Sequence, residues 1–163
     1  MTTNASTATF ASKEIAAHWP YIERTLERMM AVVHACSVAQ LNWRPPADGA
    51  NTIHALATHT VSNARVNVIQ VLCGQPFDRD REAEFRTIAT EENASIPQWP
   101  AIRDELRAAV APLTDADLDR RCEHPARGEV TGREVLMILA RHAAEHVGQA
   151  ELTRDLAIAP GVE

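Results

Sequence analysis

His142 and His146 stand four residues apart in one predicted helix, and His59 stands in another. On an α-helix, positions i and i+4 share a face, about 40° apart at ~100° per residue. Two imidazoles so placed can grip one divalent ion. A third from a neighbouring helix completes half of an octahedron, or three corners of a tetrahedron, and leaves positions for water or substrate. Such an open site suits catalysis, because an ion lowers the pKa of a bound thiol or water and orients it.

The chain has seven histidines, so the His-x-x-x-His spacing alone is a modest signal. The plain alternative is a pair of core-edge histidines bonded to backbone or carboxylate. Two unpaired imidazoles in an apolar seam would each need a partner, and a shared ion satisfies both. His54 competes with His59 for the third position. The two lie five residues apart, about 140° around the axis, so one helix cannot easily offer both to one ion. His59 is favoured as the mid-helix residue; His54 falls in the first turn and reads as a surface residue. His18, His34 and His124 have no partner at ligand spacing and read as surface or structural residues. Asn63, Glu145 and Gln149 are candidates to orient a ligand ring or bound water. The order His142-Ala143-Ala144-Glu145-His146 is not His-Glu-x-x-His, so a zincin-type protease is not supported. No phosphate loop, dinucleotide fingerprint or Gly-x-Ser-x-Gly elbow occurs.

Four long helical segments must position these residues. The first covers roughly 12–39, with Ile22, Leu26, Met29, Val33 and Cys36 as its apolar stripe. Pro20 either opens the main helix or kinks it. The second runs roughly 52–73, capped by Asn51 or Thr52 and closed by Gly74; its later half is rich in β-branched residues, yet its length favours helix over strand. Residues 75–94 form a long charged connection, part of which, around 81–90, is expected to be helical or to lie over a site. The third helix starts near Ser95, with Trp99, Ile102, Leu106, Ala109 and Leu113 as its buried stripe, and a capped turn follows at 114–118. In the fourth, Thr131 and Glu134 match a capping box, and Val135, Leu139, His142, His146 and Gln149 share a face; it ends near Leu156.

At 163 residues with 45% hydrophobic content, the chain is long enough for one domain with its own core. That domain is taken to span 1–163, with 1–10 and 157–163 as flexible tails. Aromatics at 4% favour helix over sheet, and a net charge of −6 with no basic run argues against a nucleic-acid partner. Cys36, Cys73 and Cys122 have no paired spacing and read as reduced thiols in a cytoplasmic protein. The start reads as no secretory signal, and no apolar run is long enough to span a membrane. Lys13 is the only lysine; so strong an Arg bias goes with a GC-rich genome.

Three pieces of sequence resemble the DinB/YfiT-like superfamily of small four-helix metalloproteins. They are Leu41-Asn42-Trp43-Arg44-Pro45, the run Thr52-Ile53-His54-Ala55-Leu56-Ala57-Thr58-His59, and Arg141-His142-Ala143-Ala144-Glu145-His146-Val147-Gly148-Gln149. The resemblance implies an all-α four-helix bundle with up-up-down-down connectivity, often a homodimer. It implies a zinc or nickel ion held by His59, His142 and His146, choosing His59 over His54. Related members include thiol S-transferases that use mycothiol or bacillithiol, and the metal-binding domain of mycothiol-dependent maleylpyruvate isomerase. The expected activity is therefore a metal-dependent transferase acting on such a thiol and an electrophilic small molecule, with mycothiol favoured through the Arg bias. A hydrolase using ion-activated water and a non-enzymatic metal-binding stress protein are the alternatives.

Overall fold

The computed structural model describes residues 9–158. Among these, the order is α1 (Lys13–His34), α2 (Val38–Asn42), α3 (Ile53–Arg65), a π-helical segment (Val66–Leu72), α4 (Arg81–Arg86), α5 (Trp99–Val110), α6 (Asp115–Asp119), β1 (Arg121–His124), β2 (Gly128–Thr131) and α7 (Gly132–Ile158). The chain is mostly helical, and none of these helices is long and apolar enough to cross a membrane.

Side chains that can satisfy free N–H groups mark the helix starts. The Ser12 hydroxyl accepts from the Glu14 and Ile15 amides, both at 3.1 Å, so α1 begins before Pro20 and carries the proline inside it. The first predicted helix is two helices, because Ser37 caps a fresh start through a capping box with Gln40. Thr52 caps α3 through the Ala55 amide at 3.1 Å. Glu134 accepts from the Thr131 amide at 2.6 Å, as the capping box requires, and α7 then runs unbroken to Ile158. Thr114 and Asp117 form a second such box at α6.

The predicted second helix changes character halfway. It is α-helical to Arg65 and then widens, with the Cys73 amide reaching the Val68 carbonyl at 3.0 Å. Crowded β-branched residues (Val66, Val68, Ile69 and Val71, all buried) are where the ordinary turn gives way. α5 starts at Trp99 rather than Ser95, because Ile96 adopts φ 49°, a left-handed conformation that ends any earlier helix and strains a β-branched residue.

The core is built from α1 (Trp19, Ile22, Leu26, Met29), α3 (Ile53, Leu56), α5 (Leu106, Val110) and α7 (Val135, Leu139, Val147), all nearly inaccessible to solvent. Each such large side chain contributes about 1.5–3 kcal/mol by leaving water. Ion pairs give the relative directions of the long segments. Arg133–Glu14 and Arg28–Glu151 join α7 to α1 near both ends of α1, so these helices run the same way. Arg107–Glu23 and Arg103–Glu27 make α5 opposite to α1. Arg65–Glu105 and the Cys73 contact to the Ala109 carbonyl align α3 and its π-helical extension with α5. The connectivity is thus up-down-down-up, and the expected up-up-down-down order is corrected. Loop lengths in the sequence do not encode direction, whereas these charge pairs do.

The all-α expectation missed one element. β1 and β2 pair antiparallel from Arg121↔Thr131 to His124↔Gly128, around a turn in which Gly128 takes φ 71°. Strands of four residues carry too short an alternation to stand out in a helical sequence. Of the expected tails, residues 1–8 and 159–163 lie outside the described residues. Phe10 packs against the core beneath Arg107, and α7 includes residues 157 and 158.

Gly132 opens α7 against α6. A Cβ there would lie 2.8 Å from the Leu118 Cα, and backbone cannot yield as a flexible side chain can. Gly132→Ala should therefore destabilise the fold by about 1–3 kcal/mol, read as a lowered urea midpoint with an unchanged m-value. A midpoint equal to that of the parent chain would contradict this packing.

Candidate metal centre

α3 and α7 pack so that His59, His142 and His146 point at one another. His59 is buried and the other two are partly buried. The Nε2 atom of His142 lies 3.1 Å from that of His59 and 3.2 Å from that of His146. A zinc–nitrogen bond of about 2.0–2.1 Å sets neighbouring ligand nitrogens about 2.9 Å apart at a right angle and about 3.4 Å apart at the tetrahedral angle. The observed spacings fall between these limits.

Hydrogen bonds at the far nitrogens determine what these three atoms offer. His59 Nδ1 lies 2.8 Å from Glu84 Oε2. An ionised carboxylate only accepts, so Nδ1 carries the proton and Nε2 is a bare lone pair. His146 Nδ1 donates to Gln149 Oε1 at 2.7 Å, which leaves its Nε2 bare as well. His142 Nε2 faces both lone pairs and has at most one proton to share between them. Its own Nδ1 is buried without a partner among the described residues. Three nitrogen atoms at this spacing oppose each other in the absence of a cation and would be satisfied together by one. The donor set fits a divalent metal ion.

The electrostatics agree with neutral rings. Burial, followed by the neighbouring His146 and His59, drives the His142 pKa down to about 3. Burial also lowers that of His146, against the pull of its bond to Gln149. Imidazoles neutral at pH 7 need lose no proton to accept an ion.

No motif or spacing in the sequence singles out Glu84. It sits on α4, inside the long connection expected to cover a site, and is 6% exposed. Burial opposes its charge, but hydrogen bonds from Arg79, His59 and Ser62 outweigh that and take its pKa down to about 2. Arg79 grips both carboxylate oxygens, at 2.7 and 2.8 Å. The only advance hint was an acid within a short charged helix, which many surface helices share. Among the candidates named earlier, Gln149 contacts the His146 ring. Glu145 instead pairs with Arg141 at 2.5 Å near the surface. Asn63 accepts from the Asn67 side chain at 2.9 Å and lines the neighbouring cavity.

That cavity, about 630 Å³, opens on His59 and His142 and is bounded by Asn63, Gln70, Arg79, His124 and Ile138. A smaller one of about 280 Å³ lies on the other side of α3, between His54, Thr58, Ser62 and Ile96. His54, expected at the surface, is 3% exposed and lines this second cavity, so it is corrected to a buried residue outside the triad. His124 is buried, which selects the structural one of the two readings given for it. The three cysteines are free thiols, as expected.

A family model described as the DinB superfamily matches residues 21–150. A crystal structure of a conserved protein from Enterococcus faecalis is similar over 91% of this chain and 99% of that one, with a TM-score of 0.72 and 19% identity. That likeness shows a shared fold. No curated protein matches the chain.

Two predictions follow from the geometry. Protein purified without chelator or nickel resin should contain about one divalent ion per chain by elemental analysis, and the double variant His142→Ala/His146→Ala should contain none. Glu84→Gln should weaken the affinity about 10–100-fold, with a smaller loss for Gln149→Ala; unchanged affinity in both would remove their orienting role. For His54, burial lowers the folded-state pKa. The unfolded chain then takes up a proton below about pH 6.5 that the folded chain refuses, so stability falls as pH drops, by at most about 1.4 kcal/mol per pH unit. His54→Asn should flatten the slope of unfolding free energy between pH 7 and 5.5; an identical slope would contradict the assignment.

Proposed function

The chain belongs to the DinB superfamily, and on that premise we propose that it is a cytoplasmic metal-dependent transferase, a four-helix bundle that joins a low-molecular-weight thiol of the mycothiol or bacillithiol type to an electrophilic small molecule. His59, His142 and His146 are the ion ligands in this proposal. One observation supports it above the others: three imidazole nitrogens face a common point at the edge of a cavity of about 630 Å³. Protein groups from α3 and α7 occupy one side of that point, and the cavity leaves the other side to a small molecule.

When bound, the ion supplies positive charge that lowers a thiol's pKa below its free value of about 8.5. The chain does the rest. Glu84 and Gln149 keep the bare nitrogens of His59 and His146 turned inward. Asn63 and Gln70 offer amide groups along the cavity wall, and Ile138 and Val66 give it an apolar portion that excludes water from an organic electrophile. The thiol gives its proton to solvent, its sulfur forms the new S–C bond, and the electrophile's leaving group departs with the electron pair.

A hydrolase would need a general base at the same place. The cavity's candidates are engaged or peripheral: Glu84 is committed to Arg79 and His59 with its pKa near 2, the His124 Nδ1 lone pair is taken by the Ala126 amide, and Asp78 is exposed at the margin. A thiol needs less help than water to ionise, which favours the transferase.

Zinc- or nickel-loaded protein, incubated with mycothiol, bacillithiol or glutathione and monochlorobimane, should form conjugate with at least one thiol well above the uncatalysed rate. His142→Ala should lower kcat/KM at least about 100-fold. Ester turnover without thiol would make the protein a hydrolase, and inactivity with every thiol would overturn the proposal.

A further inference from the structure

The cavity beside the triad is cationic in a chain whose net charge is −6. Arg79, Arg81 and Arg127 line it, against a single exposed acid, Asp78. Arg79 is cancelled by Glu84. The guanidinium groups of Arg81 and Arg127 have neither an ion pair nor a side-chain hydrogen bond among the described residues, and both side chains line the cavity. Ten arginines, Arg79 among them, are held by carboxylates, and of those that are not, Arg81 and Arg127 line this cavity.

Arg81 is also positioned. Its guanidinium lies 5.0 Å from the centroid of Phe85, and the Phe85 ring lies 4.5 Å from that of His59. A stacked guanidinium loses less freedom when it takes up a partner. The aromatic ring thus links a free cation directly to a ligand histidine.

His124 adds an independent observation. It lines the same cavity and is 7% exposed. Its Nδ1 accepts the Ala126 amide at 3.1 Å, so the neutral ring carries its proton on Nε2. That Nε2 is buried and has no acceptor among the described residues. An unpaired buried donor is costly and unusual in a packed structure, and a donor beside two unpaired guanidiniums lacks the same thing they lack.

We propose that this cavity binds the anionic group, carboxylate or phosphate, of a small molecule through Arg81 and Arg127, with His124 as the third donor. The volume suits a metabolite rather than a polymer. The molecule's uncharged end then extends to the face of His59 and His142. As a statement about substrate, this rests on the transferase reading and says that the thiol or its electrophile is an acid. As a statement about an anion site, it stands without that reading.

The test uses the full chain, ¹⁵N-labelled, both metal-free and zinc-loaded, titrated at constant ionic strength with succinate, inorganic phosphate and neutral succinamide. Saturable shifts of the Arg81, Arg127 and His124 side-chain N–H signals are expected with an anion in both forms, and none with succinamide. Response to succinate alone assigns a carboxylate, and response to phosphate alone assigns a phosphoester. Arg81→Gln and Arg127→Gln, at exposed positions, should each weaken binding at least tenfold. Equal binding of succinamide, affinities unchanged in both variants, or an anion response confined to zinc-loaded protein would each overturn the proposal. Loss of thiol conjugation with anion binding intact would remove the transferase and leave the site; the reverse result would remove the site and leave the transferase.

Discussion

A single buried carboxylate governs the chemistry available here. Glu84 decides which nitrogen of His59 is protonated, and so which one is bare. Without it the ring could flip or exchange tautomers, and the point shared by the three imidazoles would lose one lone pair. The carboxylate in turn stays ionised in a buried place because Arg79 clamps both of its oxygens. The arrangement is a chain of dependence, from guanidinium to carboxylate to imidazole, running from the cavity wall inward. Gln149 performs the equivalent service for His146 from the same helix, at a three-residue spacing that costs no extra structure.

α3 is the element that makes this arrangement possible. One face presents His59 and Asn63 to the larger cavity, continued by Val66 and Gln70 of the π-helical segment, and another presents His54, Thr58, Ser62 and Arg65 to the smaller. The faces are separated by the same five-residue offset that prevents His54 and His59 from sharing an ion. Ser62 also favours the ionised form of Glu84, so the helix contributes both an imidazole of the triad and support for the acid that orients it. Where the helix widens over Val66–Leu72, its side chains are turned relative to an ordinary continuation, and Gln70 still faces the cavity.

Much of this was legible in the residues. The capping box at Thr131 and the apolar stripe after it located α7 and put two histidines on its inner face. Thr52 located α3, and the length of the charged connection marked it as something other than a surface loop. What stayed hidden is non-local. Glu84 meets His59 from a six-residue helix whose sequence looks like many solvated ones. His54 and His124 are buried by elements distant in the chain, so neither falls on an obvious apolar stripe. The hairpin is too short to show a period, and helix direction is written in long-range charge pairs such as Arg28–Glu151 rather than in any local pattern.

The segment carrying Glu84 has a further consequence. All three ligand imidazoles belong to α3 and α7, while the group that orients one of them arrives on a separate strap between Leu72 and Trp99. A proteolytic nick in that strap would cut the chain between His59 and the α7 pair while removing none of the three imidazoles. It would nonetheless free the acid from its ring, so the centre could be detuned in affinity without the loss of a single coordinating atom.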